Sequence, residues 1–273
     1  MDKRIDDVDF VIFDVETTGL NPQAGDRIVE IAAIRYKNGR SQGSFSSLVN
    51  PQREISPAAF EVNHISQEMV SRAPLAEEII PKFLQFISGG CLAGYNVGFD
   101  LSFLENEIKL IGESKPVDIQ VVDVLQMARR ILPGVERYGL ASISHHIGIN
   151  TPQEHRALGD VELTAGVFSH LLGRIKEKGI ENFLQFYNLF GFDTRFTQDL
   201  NNQHILAIQR AIDLGVRLRI KYYSSSTAEV TTREVEPKVI IEQGKRKYLV
   251  GFCRLRKDER TFKINAILNL EIV

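Results

Sequence analysis

Phe10-Val11-Ile12-Phe13-Asp14-Val15-Glu16-Thr17-Thr18-Gly19 (FVIFDVETTG) builds an apolar strand and then sets two carboxylates on it, two residues apart. Strand side chains repeat with period two, so Asp14 and Glu16 point to the same side. Two anions held together at the end of a buried strand repel each other and lose water. Either at least one is protonated or both share a cation. The competing reading is that the strand has simply ended and both acids are solvated in the turn marked by Thr17, Thr18 and Gly19.

Working outward, Arg27 to Tyr36 (RIVEIAAIRY) and Gly43 to Val49 (GSFSSLV) read as two more strands joined through Lys37-Asn38-Gly39. Ser56-Pro57 is an N-cap and first-position proline for a short helix, and Ser66-Gln67-Glu68 starts another. Leu75 to Ile87 carries its apolar residues on one helical face and stops at Gly89-Gly90. Cys91 to Tyr95 reads as a short buried strand, Phe99 to Ile111 as a helix, and Val117 to Val122 as a strand followed by a helix through Ile131. Helices are expected at Leu140 to Ile147 and Ala157 to Ile175. Three strands followed by alternating helix and strand give an α/β domain with a mixed sheet over residues 1–178.

Residues 179–202 are aromatic and amphipathic, the signature of a packed helical connector. A helix over Gln203 to Leu214 then leads into short alternating runs at Val216 to Tyr223, Arg233 to Ile241, Lys247 to Cys253 and Arg260 to Ile264. Residues 203–273 therefore read as a small β unit, a barrel by expectation. The two halves differ in charge. From Leu200 onward 14 Lys and Arg stand against 8 Asp and Glu, a net of +6, which leaves 19 against 27, a net of −8, before it. A basic half attracts phosphates, and an acidic half repels nucleic acid unless cations neutralise it.

A hydrophobic fraction of 43% fits a globular chain with a sizeable core. The start MDKRIDDVDF is no signal peptide and no run approaches a membrane span, so the expected location is cytoplasmic. Cys91 and Cys253 make neither a disulfide framework nor a metal-ligand cluster.

Two further carboxylates fall at element boundaries: Asp100 in Asn96-Val97-Gly98-Phe99-Asp100, and Asp160 in His155-Arg156-Ala157-Leu158-Gly159-Asp160. Each alone reads equally as an acid favouring a helix start. Together, FDVETTG, NVGFD and HRALGD resemble in order and spacing the three motifs of the DEDDh, or DnaQ-like, 3′ to 5′ exonucleases, which include the proofreading subunits of bacterial DNA polymerases. The resemblance covers about the first 175 residues, with Val49-Asn50-Pro51 and Asn63-His64-Ile65-Ser66 as softer features. It implies an RNase H-like mixed five-stranded sheet flanked by helices. It also implies that Asp14, Glu16, Asp100 and Asp160 bind two divalent ions, Mg²⁺ or Mn²⁺, with His155 as general base. Hard oxygen ligands suit Mg²⁺, and a histidine can take a water's proton near neutral pH.

The same resemblance places Thr17, Thr18 and Gly19 at the terminal nucleotide. Leu20 and Phe99 pack against the last base or belong to the core. Asn96 orients the strand end or touches substrate, and His64 lines the substrate cleft or serves as a cap or surface residue. The implied partner is single-stranded nucleic acid, DNA favoured and RNA the alternative, and proofreading would require a polymerase or repair partner. A rival of another class is a non-catalytic sensor built on the same scaffold.

Residues 212–273 resemble the WYL domain, a small SH3-like β module: Tyr222 in IKYY, Arg233 and Pro237 in REVEPKVI, Tyr248 to Phe252, and Arg260 with Phe262 in ERTFKI. Lys247 stands where that family carries tryptophan, and the chain has no Trp. The resemblance implies regulation, or binding of a nucleotide-like ligand or nucleic acid, through Arg233, Lys247, Tyr248, Arg254 and Arg260, with Lys245 and Arg256 nearby. Cations for phosphates beside rings for stacking are the usual means. The alternative is that the rings are core and the cations its solvated outside.

Overall fold

Alternation along the first strand sorts its side chains between two cores. In the computed structural model, which describes residues 3–113, 119–150, 155–244 and 246–273, β1 (Phe10–Thr17) sends Phe10 and Ile12 into one apolar core. Val11, Phe13 and Val15 enter a second core on the opposite face. Period two then carries Asp14 and Glu16 along the Phe10 face.

β1 pairs antiparallel with β2 (Ile28–Lys37), which pairs antiparallel with β3 (Arg40–Leu48). Helices α1 (Pro57–Asn63), α2 (Gln67–Ser71) and α3 (Ala76–Ile87) follow, the first capped by the Ser56 hydroxyl, which accepts from the Ala59 N–H. The chain returns parallel to β1 as β4 (Cys91–Gly94), passes through α4 (Gly98–Leu110), and returns again as β5 (Val121–Asp123) parallel to β4. The order β3-β2-β1-β4-β5 is a mixed five-stranded sheet.

Helices cover both faces. α5 (Val124–Ile131), α6 (Leu140–His146) and α7 (Ala157–Glu177) pack on the Phe10 side, where Val161, Phe168 and Leu171 of α7 join Phe10 and Ile12. Ile80 and Phe83 of α3 and Phe103 and Ile108 of α4 fill the other side. β5 is shorter than the strand read over Val117 to Val122, and Val117 and Asp118 lie outside the described residues.

Beyond α7 come α8 (Phe183–Phe190) and α9 (Gln198–Leu214). α9 begins five residues earlier than its apolar period suggests because a 3-10 turn at Thr194–Thr197 feeds straight into its polar first turn. The strands β6 (Leu218–Ser224), β7 (Glu229–Gln243), β8 (Arg246–Cys253), β9 (Asp258–Lys263) and β10 (Ile267–Ile272) form a second, wholly antiparallel sheet in the order β10-β6-β7-β8-β9.

The expectation of a barrel is corrected here. Among the described residues no pairing joins β9 to β10, so the sheet is open. Its apolar side is covered instead by α9, whose Ile208 and Ala211 pack with Leu218, Val235, Leu249 and Phe262. A helix lid buries the same surface that closure would bury.

The two units share a core. Phe183, Phe186, Tyr187 and Phe190 of α8, Tyr223 and Leu268 of the second sheet, and Ala266 from the 3-10 turn before β10 all join the Phe10 cluster. Polar bonds register the seam: the Tyr223 hydroxyl donates to the Arg130 carbonyl at 2.7 Å and Gln185 Nε2 to the Leu268 carbonyl at 2.9 Å. The connector also meets β5, through a bridge between Gly191 and Val122 and the Phe192 N–H donating to the Val121 carbonyl at 2.8 Å. Among the described residues no helix is long and apolar enough to cross a membrane.

Candidate active site

The carboxyl ends of the parallel strands carry the acids. Asp14 and Glu16 stand on β1, and Asp160 reaches them from the first turn of α7, where a helix N-terminus favours an anion. One ligand atom from each of these three lies within 4.8 Å of the others. Asp100, in the first turn of α4, is 3% exposed, and its Oδ1 accepts the Val15 N–H at 3.1 Å. It stands beside this trio, tied to the backbone between Asp14 and Glu16.

Crowding shows in the acidities. Burial first, then Asp100, Glu16, Asp160 and Glu30 in turn, hold the Asp14 carboxyl well above the usual range. Burial and then Asp160, Glu30 and Asp100 push Glu16 up to about 8, against a hydrogen bond from Asn63. Burial pushes Asp100 up to about 7, opposed by the N–H groups of Val15 and of Asp100 itself. Converging, oxygen-only and short of positive charge, this donor set fits hard divalent cations such as Mg²⁺ or Mn²⁺.

A pH dependence follows. Glu16, pushed to about 8, keeps a proton in the folded state that the unfolded chain releases near about 4.3. Metal-free protein is therefore expected to lose stability as pH rises through that window. Saturating Mn²⁺ binds the ionised acids and should raise the melting temperature by at least about 3 °C more at pH 8 than at pH 5.5, a shift equivalent to about 1 kcal/mol. Differential scanning fluorimetry with and without EDTA checks it, and an equal rise at both pH values would contradict the assignment.

His155 is half-exposed, has φ of 50°, and places Nδ1 4.0 Å from Asp160 Oδ2. Of the other residues expected at the cleft, Thr18 is 1% exposed. Its hydroxyl donates to Asp26 Oδ1 at 3.3 Å and accepts the Arg27 N–H at 3.0 Å, so it locks the turn. Thr17 donates to the Gly19 carbonyl at 2.6 Å. Gly19 is required by close approach, since a Cβ there would collide with the Asp26 carboxyl. Leu20 is 84% exposed and belongs to no core. Phe99 is half-buried with its ring 4.9 Å from Phe103, whereas Asn96 (φ 61°) and His64 (φ 55°) are exposed at left-handed turns.

Three residues of this neighbourhood receive no role from the sequence, although Asn63 falls in the Asn63-His64-Ile65-Ser66 stretch noted there. Asn63 is buried, donates to the Thr17 carbonyl at 3.3 Å and hydrogen-bonds Glu16. Asp123, buried at the end of β5, caps α5 through the Leu125 and Gln126 N–H groups and accepts the Asn96 N–H. Glu30 faces Glu16 across β2. The available signal was an acid or amide set inside or at the end of an otherwise apolar run.

In the second sheet three of the expected cations have close neighbours of their own. The Arg233 guanidinium lies 5.5 Å from the Tyr222 ring and 5.6 Å from the Phe262 ring. Arg254 pairs with Glu236 at 2.8 Å and Arg260 with Asp258 at 3.4 Å. Lys247 and Arg256 are exposed, Tyr248 is half-buried, and Lys245 lies outside the described residues.

Comparison with known proteins agrees with both units. A family model described as Exonuclease matches residues 11–168, more than half of the chain, and a WYL domain model matches residues 203–272. The chain is 40% identical over 183 residues to a DNA polymerase III subunit epsilon-like protein of Rhodobacter capsulatus, covering 66% of this chain and 26% of that one. It is 33% identical over 168 residues to the 3′-5′ exonuclease DinG of Bacillus subtilis, covering 62% and 18%. The chain thus spans about a quarter or less of the length of these relatives.

Among solved structures, Exonuclease X in complex with 5′ overhanging duplex DNA superposes with a TM-score of 0.50 at 28% identity over 60% of this chain and 91% of that one. Escherichia coli Exonuclease I in complex with a dA16 oligonucleotide, at 18% identity, shares the fold with a TM-score of 0.54 over 90% of this chain and 55% of that one. With an acidic cluster at the carboxyl ends of a mixed sheet and a family match spanning the strands and helices that build it, the chain belongs to the exonuclease family.

Proposed function

We propose that the chain is a metal-dependent 3′ to 5′ exonuclease that shortens single-stranded DNA and releases nucleoside monophosphates, with the WYL domain regulating or gripping the substrate. The observation that carries this is the convergence of Asp14, Glu16 and Asp160 within 4.8 Å beside His155. Relatives named as polymerase III proteins and as a 3′-5′ exonuclease, and a structural neighbour solved with DNA, support the polarity and the choice of DNA. A polymerase or repair assembly is the corresponding partner class.

Asp14, Glu16, Asp160 and Asp100 would hold two divalent ions, which supply Lewis acidity toward the attacking water and charge compensation at the leaving 3′-oxygen. His155 accepts the water's proton at its imidazole as the water oxygen bonds to phosphorus and the bond to the 3′-oxygen breaks. Exposed Leu20 meets the terminal base edge, while Thr17, bonded to the Gly19 carbonyl, and Thr18, bonded to Asp26, keep the turn beneath it from moving. Lys247 and the Arg233 face of the second sheet are the sites for a nucleotide-like ligand or the distal strand.

Purified protein is tested on matched 5′-labelled single-stranded DNA and RNA with Mg²⁺, Mn²⁺ or EDTA. Stepwise shortening of DNA that requires metal and drops about 10²-fold or more in His155→Gln is the expected result. Preferential shortening of RNA would change the substrate class, and no shortening of either strand would leave the scaffold reading.

A further inference from the structure

Glu30 is 4% exposed, lies in an apolar stretch of β2, and is paired in register with Glu16. A carboxylate so placed adds repulsion to a site already crowded with acids, so its partners decide its purpose. Arg156 Nε donates to Glu30 Oε2 at 3.0 Å and Arg156 Nη2 to Oε1 at 2.7 Å, a two-pronged match of guanidinium to carboxylate. The Ala157 N–H adds a third donor at 3.0 Å to Oε2. Two consecutive residues at the start of α7 are thereby fixed to one side chain on the central sheet.

What they fix is the residue before them. His155 has φ of 50°, a left-handed conformation that a non-glycine residue keeps only when its surroundings impose it. The Arg156 carbonyl also accepts the Asp160 N–H at 3.0 Å, so the clamp sits at the base of the turn that ends on Asp160. Helix packing further along α7 fixes the helix axis, but His155 lies outside the helix and is joined to it through the Arg156 peptide.

We propose that Glu30 and Arg156 form a positioning clamp whose task is to hold His155 in the orientation that takes the water's proton. This rests on the exonuclease reading and adds to it two residues that touch neither substrate nor reacting atoms. A lysine at 156 would keep the charge but lose the fork, because an ammonium presents a point charge rather than two parallel N–H groups.

The test compares wild type with Arg156→Lys and Glu30→Gln, each also built into a His155→Gln background. On single-stranded DNA the single variants should lose about 10- to 100-fold in kcat with KM within about twofold, the range seen when a partner that orients a functional group is lost. Added to His155→Gln, the same substitutions should cost less than about threefold, since a clamp acting through an absent imidazole has nothing left to orient. Full loss in both backgrounds, or no loss in the single variants, overturns the proposal.

The His155 imidazole resonances, assigned by their disappearance in His155→Gln, should shift in both clamp variants while melting temperatures stay within about 4 °C of wild type. If wild type digests no nucleic acid, the exonuclease reading fails, and the resonances alone still decide whether the clamp orients His155. Glu30→Gln, which preserves volume and one acceptor oxygen, covers the case in which Arg156→Lys does not fold.

Discussion

Asp14→Asn is expected to abolish metal-dependent digestion and, in the same protein, to raise the melting temperature measured in EDTA. Asp14 lies among Glu16, Asp160 and Asp100, and burial with these neighbours holds its carboxyl well above the usual range. A neutral amide of the same shape removes the desolvation and the repulsion at one stroke. It also removes an anion that a dication would use, and lost Lewis-acid assistance worth several kcal/mol is a fall of roughly 10³-fold or more in rate. Opposite signs on activity and stability are the mark of a site strained for its work. Calorimetry in EDTA beside a gel assay in Mg²⁺ reads both, and a lower melting temperature in EDTA would mean that the carboxylate is stabilised by its neighbours, contrary to the crowding described.

Phe186→Ala should produce the largest loss of stability, about 3–5 kcal/mol, because it empties a site that the protein cannot refill by local collapse. Phe186 is 0% exposed, and its ring lies 5.9 Å from Phe10, 6.1 Å from Phe183 and 5.4 Å from Phe190. Its ring neighbours thus come from the first strand and from its own helix, and Tyr223 and Leu268 of the second sheet lie in the same core. A fall of roughly 6 °C or more in melting temperature is expected. The urea transition should stay single for the two units, followed by circular dichroism and tyrosine emission because the chain has no tryptophan. Separate transitions would show that the shared core does not couple them.

The carboxylates were legible because strand period and helix starts are local properties. Asp14 and Glu16 share a side because they are two apart, and Asp100 and Asp160 fall in first turns that the apolar pattern alone locates. The roles of Glu30, Asn63 and Asp123 were not legible, since each depends on a partner far along the chain: Arg156, Thr17 and Asn96. Thr18 was read at the terminal nucleotide, yet its hydroxyl is taken by Asp26 and Arg27, which only the folded turn brings together. In the second unit the alternating runs located most strands, but β10 was missed. Whether a sheet closes on itself or is covered by a helix depends on where α9 lies, which no strand records.

One end of the central sheet is β5, a strand of three residues whose outer side would present unpaired N–H and carbonyl groups to any passing extended chain. The connector covers it there, with Gly191 bridged to Val122 and the Phe192 N–H on the Val121 carbonyl. The passage between the two units thus also covers a backbone edge of the central sheet. Cutting the chain near Gly191 to separate the two units would therefore uncover backbone donors and acceptors of β5 as well as apolar side chains.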